Sequence, residues 1–260
     1  MIGLSIDGAV AIATLAHAPV NAMNDEWVTR FDEILDETEK NESLSVLWLR
    51  SDQRVFCAGA DLEFMRARFA TPEGRTQMIA FTRRLQLAFE RLEHLGVVTI
   101  AEIRGAALGG GFELALACDL RCIAETARIG LPEARLGLLP AGGGTQRLTR
   151  LCGEGVARRL ILGAEIVTGS IALELGLAQW VAPLGELHSA TRAVVDRISD
   201  LPRAALAESK LCIAAAVDGC RDGYALELAG SGRLLARIET QERVRGFLDK
   251  SRPASGSKSS

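Results

Sequence analysis

Between Gly105 and Leu148 the chain reads GAALGGGFELALACDLRCIAETARIGLPEARLGLLPAGGGTQRL, and two acidic residues, Glu113 and Glu133, each stand close behind a glycine break. Apolar runs alternate with these breaks, the pattern of a strand entering a glycine turn and leaving it as a helix. Such a turn aims the first free N–H groups of the helix, with the positive end of its dipole, at one spot where negative charge is stabilised. Gly109, Gly110 and Gly111 would let a ligand approach that backbone closely; tight packing of strand against helix is the competing reason for three glycines in a row. Two carboxylates beside backbone N–H donors point to proton chemistry, so this segment favours an enzyme.

Nucleotide loops do not fit. A Walker loop ends in Gly-Lys-Ser/Thr and a dinucleotide loop needs GxGxxG near the start of a βαβ unit, and neither spacing occurs here. An alternative functional use of such N–H groups is an oxyanion hole for an enolate-like oxygen on a thioester carbonyl, where one donor is worth about 2.7–4 kcal/mol; tight strand-helix packing stays open beside it. The segment FCAGADL, Phe56 to Leu62, is a second small-residue turn after an apolar residue. Two loops would then supply two donors.

Bulk properties exclude several function classes. The chain has 260 residues, enough for one large domain or one domain with a small appendage, and its formal charge of −3 offers no basic excess for nucleic acid. Six cysteines (Cys57, Cys118, Cys122, Cys152, Cys212, Cys220) show no CxxC pair and no histidine at ligand spacing, so we expect reduced, mostly buried thiols and no metal site. His17, His94 and His188 are isolated, and without a GxSxG elbow a Ser-His-Asp reading fails. The start, MIGLSIDGAVAIATLAH, alternates like a strand and lacks the basic start and long apolar run of a signal peptide. We therefore expect a cytoplasmic protein. No apolar run reaches the roughly 18 residues of a membrane helix, so no membrane partner is expected.

Along the chain, β-rich runs alternate with helical stretches: Leu4 to Ala16, Asp25 to Glu39, Val46 to Leu49, then Thr76 to Glu93. Asn24 followed by Asp25 and Glu26 reads as a helix start. Val97 to Ile103 predicts a buried strand, Gly105 to Gly111 a turn, Phe112 to Ala117 a helix and Leu120 to Ala124 another strand. From about Asp200 the pattern becomes helical, with Pro202 early in a helix and apolar spacing through Ala204 to Ala216 and Tyr224 to Phe247. The closing PASGSKSS is small and polar, as a disordered tail would be.

Taken together, FCAGADL, GAALGGGFELALACD and LPEARLGLLPAGGGTQRL resemble the enoyl-CoA hydratase/isomerase (crotonase) superfamily, most like its hydratases. The resemblance extends from the early APVNAMN to the late GFLDKSRP, nearly the whole chain. It implies an α/β fold, a crotonase-like spiral of ββα units over residues 1–199, with a helical C-terminal trimerisation region over 200–252 and a tail of 253–260. Trimers, or hexamers built as dimers of trimers, are the assemblies it implies. Carried over by motif position, the N–H groups of Ala60 and Gly110 would form the oxyanion hole for an acyl-CoA thioester. Ala58, Asp61 and Leu62 would lie along the CoA moiety, Ala141 would keep an N–H near the reacting water, and Lys250 would contact the CoA phosphates or ribose. Glu113 would hold and activate the water that adds at the β-carbon, and Glu133 would deliver a proton to the α-carbon. An isomerase of this kind manages with one carboxylate at the position of Glu133, so the pair favours hydration of a trans-2-enoyl-CoA to a 3-hydroxyacyl-CoA. No metal or redox cofactor is implied, coenzyme A being part of the substrate.

The sequence departs from the family pattern in three places. Val20 precedes Asn21 where many members carry a basic residue, which shifts the search for phosphate contacts to arginines such as Arg54. Ala106 replaces a larger residue and Ala141 a glycine. Phe64 and Met65, followed by Arg66 to Gln77, occupy the region that lines the acyl site in relatives and varies among them, and serve equally well as core. Rival readings are an isomerase or other CoA-thioester enolate chemistry, and a non-catalytic acyl-CoA-binding or RNA-binding scaffold.

Overall fold

Alternating apolar residues at the N-terminus form an antiparallel hairpin, β1 (Ile2–Asp7) and β2 (Val10–Leu15), with Gly8 in the turn at φ +57°. The run from Leu4 to Ala16 is thus two strands. The next strands, β3 (Val46–Ser51) and β4 (Val98–Ile103), join β2 in parallel. Parallel strands are covered on both faces, which is why β3 and β4 are buried almost throughout, with four apolar residues of six in each. With β5 (Ala107–Leu108), β6 (Leu120–Ala124), β7 (Arg128–Gly130), β8 (Ile166–Thr168) and β9 (Trp180–Ala182), two sheets result, ordered β1-β2-β3-β4-β6-β9 and β5-β7-β8. This computed structural model describes residues 1–250, and its contacts divide the chain after Asp200.

Helix α1 (Asp25–Lys40) starts as expected: the Asn24 side chain accepts from Trp27 N at 2.9 Å, and Trp27, Val28, Phe31, Ile34 and Leu35 face the core. Helix α2 (Leu62–Phe69), not foreseen as an element, begins where Asp61 Oδ1 accepts the N–H groups of Glu63 and Phe64. Helix α3 (Pro72–His94) is capped by Thr71 and presents Phe81, Leu85, Ala88, Phe89 and Leu92 to the core. The short α4 (Gly110–Ala117) is buried from Gly111 onward and has no side-chain N-cap. Its far end is closed by Arg121, fully buried, whose guanidinium donates to the carbonyls of Ala115, Cys118 and Leu177. A cation at the negative end of a helix is favourable. After α4 come a 3-10 turn (Pro132–Leu136), α5 (Gly144–Leu162), α6 (Gly169–Glu174) and α7 (Leu187–Ser199).

The part beyond Asp200 holds α8 (Arg203–Ala216), α9 (Gly223–Leu235) and α10 (Ile238–Lys250), with Arg233 paired to Glu208 at 2.6 and 2.8 Å. Pro202 caps α8 rather than lying inside it. The expected tail over 253–260 lies outside the described residues. All six cysteines are free thiols; Cys57, Cys118 and Cys122 are buried, Cys152 and Cys212 half-buried and Cys220 exposed, so burial is less general than expected. Among the described residues no helix is long and apolar enough to cross a membrane.

Candidate active site

Three segments run side by side where the small-residue turns meet. Residues 20–23 pair with 58–61 through Ala58 N to Val20 O (3.0 Å), Met23 N to Gly59 O (2.9 Å) and Asp61 N to Met23 O (2.9 Å). On the other side, Phe56 N donates to Ala106 O (2.8 Å) and Leu108 N to Cys57 O (3.0 Å). The turn carrying Ala60 is thereby locked against the turn that starts α4. A Cβ built on Gly59, itself at φ +95°, would lie 3.0 Å from the Gly110 nitrogen, and one built on Gly110 would lie 3.7 Å from the Ala60 nitrogen. Among the described residues the N–H groups of Ala60 and Gly110 find no acceptor in the backbone. Two unspent donors therefore stand next to each other at the N-terminus of α4.

The three glycines do different things. Gly111 has no room for a Cβ, which would overlap the Cys57 carbonyl, so here the packing explanation holds. Gly109 combines φ +54° with Glu133, whose Oε1 would be 3.1 Å from a Cβ. Gly110 is different: its nearest neighbours would be at 3.5 Å, an ordinary contact, and packing alone does not demand glycine there.

Glu113 sits on the first turn of α4 and is 4% exposed. The glycine run of the AGGG segment wraps its carboxylate. Gly144 N donates to Glu113 Oε1 at 2.8 Å, and Cβ atoms built on Gly142 and Gly144 would come within 2.6 Å of Oε2 and 2.8 Å of Oε1. That loop is held from outside. Gln86 Nε2 donates to the Ala141 carbonyl at 2.6 Å, and the buried Arg147 donates to the Gly142 carbonyl at 3.0 Å while pairing with Glu93 at 2.8 Å. Burial pushes Glu113 up to about 7; the Gly144 N–H opposes that rise, the charge of Glu133 adds to it, and the Gly142 N–H and Arg147 oppose it.

Glu133 arrives on the 3-10 turn, just after Pro132 sets the first helical position. It too is raised above the ordinary carboxylate range by burial, against a lowering by its own backbone N–H. Its Oε2 is buried with no hydrogen-bond partner among the described residues. Two carboxylates, both favouring the proton more than usual, thus approach the Gly109–Gly110 turn, one through α4 and one across Gly109.

Ala60, Gly110, Glu113 and Glu133 are brought together, and Ala58, Asp61 and Leu62 flank the first turn. The Asp61 carboxylate is engaged in capping α2, and Leu62 is exposed. Ala141 lies in the loop that wraps Glu113, while Lys250 ends α10 in the second unit. Phe64 packs on Phe81 with ring centroids 5.0 Å apart, under the Arg68 guanidinium at 3.6 Å. Sequence reasoning missed Arg147, Gln86 and the roles of Gly142 and Gly144 as the clasp on Glu113. Their motif was visible, but the residue it touches was not.

Known proteins resemble this chain in sequence and in fold. The family description Enoyl-CoA hydratase/isomerase matches residues 5–256. A probable enoyl-CoA hydratase of Bacillus subtilis is 33% identical over 254 residues, 97% of each chain. A short-chain-enoyl-CoA hydratase of Clostridium acetobutylicum is 33% identical over 95% of this chain and 94% of its own length. Among solved structures, an enoyl-CoA hydratase from Bacillus anthracis superposes with a TM-score of 0.89 at 29% identity, covering 97% of this chain and 98% of that one. The fold is crotonase-like. The chain belongs to the enoyl-CoA hydratase/isomerase family.

Proposed function

We propose that the protein is an enoyl-CoA hydratase, adding water reversibly across a trans-2-enoyl-CoA to give a 3-hydroxyacyl-CoA. The observation that carries this reading is the meeting of two unspent N–H donors, Ala60 and Gly110, with the buried carboxylate of Glu113 and the half-buried one of Glu133, both of raised proton affinity. The thioester carbonyl oxygen accepts from both N–H groups. As the β-carbon is attacked, electron density moves through the conjugated system onto that oxygen, and donors aimed at it lower the barrier by about 2.7–4 kcal/mol each.

Glu113, ionisable near neutral pH and steadied by the Gly144 N–H, takes a proton from the water as its oxygen bonds to the β-carbon. Glu133, with an unpartnered buried oxygen, supplies the proton that the α-carbon gains as the enolate collapses. One proton has then passed to Glu113 and one has left Glu133, and transfer between them restores the pair. Ala58, Asp61 and Leu62 flank the CoA moiety, with Ala141 beside the reacting water. The reaction needs no redox or metal cofactor, the CoA being carried by the substrate, and the assembly is a homotrimer or homohexamer in the cytoplasm.

The test is loss of the conjugated-enoyl absorbance with crotonyl-CoA and a longer enoyl-CoA. Glu113→Gln and Glu133→Gln should each lower the rate by about 10²–10⁴-fold. Near wild-type rates in both would refute the assignment. No turnover by the wild-type protein, with double-bond migration instead, would move it to the isomerases.

A further inference from the structure

We infer that Asn21 is a positioning residue for the oxyanion donor Ala60, acting through the segment Asn21–Met23 and the thiol of Cys57. The inference rests on the hydratase reading above but concerns residues that reading leaves without a task. Asn21 is fully buried and adopts φ +54°, a left-handed conformation that costs a non-glycine residue energy and that asparagine tolerates best. Its side chain is saturated. Nδ2 donates to Ser51 Oγ at 2.8 Å and Phe56 O at 2.9 Å, and Oδ1 accepts from His17 N at 2.7 Å. Its own carbonyl accepts from Cys57 Sγ at 3.0 Å, and that sulfur in turn accepts the Gly59 N–H at 3.4 Å. Burial pushes the Cys57 thiol up to about 12, so it stays protonated and keeps its donor role.

What this network fixes follows from peptide planarity. Gly59 C=O and Ala60 N–H belong to one planar, trans peptide group and point in opposite directions. The Gly59 carbonyl is held by Met23 N–H at 2.9 Å, so the Ala60 N–H must face away from residues 20–23, on the side where the Gly110 turn lies. Asp61 N, bonded to Met23 O at 2.9 Å, pins the next peptide as well. Met23 can hold both only while the chain makes its left-handed bend two residues earlier. Asn21 supplies that bend and ties it to Ser51, Phe56 and Cys57, the strand end and loop that deliver Ala60. A merely structural asparagine would stabilise the fold without setting the direction of one amide.

The experiment reads the carbonyl directly. In a Glu133→Gln background, which slows turnover by about 10²–10⁴-fold, crotonyl-CoA carrying ¹³C at the thioester carbon should show a lowered carbonyl stretching frequency when bound. Adding Asn21→Gly, which keeps the left-handed bend but removes the side chain, should reverse about half of that lowering or more. In the enzyme with Glu133 intact, Asn21→Gly should lower kcat by about 10–100-fold, less than the about 10²–10³-fold of a donor lost outright because the Ala60 N–H is misaimed rather than removed, with KM changed less than about 3-fold. Cys57→Ala should lower kcat in the same sense and Cys57→Ser, which retains a donor and an acceptor, should restore it; this pair decides the matter if Asn21→Gly does not fold. Unchanged frequency and kcat in Asn21→Gly, or equal kcat in the two Cys57 variants, would overturn the inference while leaving the hydratase reading intact. No lowering of the frequency in Glu133→Gln alone would overturn the oxyanion reading, and this inference with it.

Discussion

Glu113→Gln should make the protein more stable at alkaline pH while removing its activity. A carboxyl group whose proton affinity is raised by folding is a liability wherever it must ionise. The unfolded chain releases the Glu113 proton near 4.5 and the folded chain near 7. Below pH 4.5 both states hold the proton and there is no cost; as pH rises to about 7 the cost grows, and above that it is fully present. At about 1.4 kcal/mol for each tenfold change in proton affinity, the gap corresponds to about 3 kcal/mol. Glutamine removes this cost but introduces another. Its oxygen can still accept from Gly144 N, whereas its NH₂ group would replace the oxygen nearest Gly142 and leave that N–H facing a donor. Losing one hydrogen bond of this kind costs about 1 kcal/mol. The net gain above pH 8 is therefore about 2 kcal/mol, or about 4–8 °C in Tm for a chain of this size. Urea unfolding of wild type and variant at pH 5 and pH 8.5 measures it. The variant's advantage should appear at pH 8.5 and vanish or reverse at pH 5. An equal difference at both values would mean that ionisation of a buried Glu113 is not what separates the two proteins.

Other expectations concern the same framework. Gly142→Ala and Gly144→Ala should each reduce hydration of crotonyl-CoA by about 10–100-fold by displacing the carboxylate they enclose, whereas Gly155→Ala, with nothing within 4 Å, should leave the rate unchanged. Because the charge of Glu133 raises Glu113, Glu133→Gln should move the Glu113 ionisation to lower pH, read from its carboxylate infrared band on titration. Arg121→Met should cost about 3 kcal/mol or more in urea unfolding, since the carbonyls of Ala115, Cys118 and Leu177 lose their buried donor.

Much of the fold is written locally. The Asn24 cap, the apolar spacing of α1 and the apolar strands β3 and β4 follow from propensity and pattern, which act over a few residues and need no knowledge of distant partners. The small-residue turn at Phe56 to Leu62 and the glycine turn before α4 were legible for the same reason. Elements of low amphipathic contrast were not: α2 has no buried residue and β5 is two residues long, so neither leaves a periodic trace.

Which groups are available is written in the sequence: two glutamates, two small-residue turns, and a glycine run at 142–144 of which Gly143 meets a local need, the φ +107° ahead of α5. The tertiary structure alone decided what each of them meets. Pairing of residues 20–23 with 58–61 turns the Ala60 amide toward Gly110, and the loop held by Gln86 and Arg147 closes on Glu113. Apart from Arg147 with Gly142, five positions apart, these contacts join residues 31 to 55 positions apart in the chain, from Glu113 with Gly144 to Gln86 with Ala141. Proton affinity depends on them too, because it is set by how much water a carboxylate has lost and which donors replaced it, and burial is a property of the assembled fold rather than of any segment.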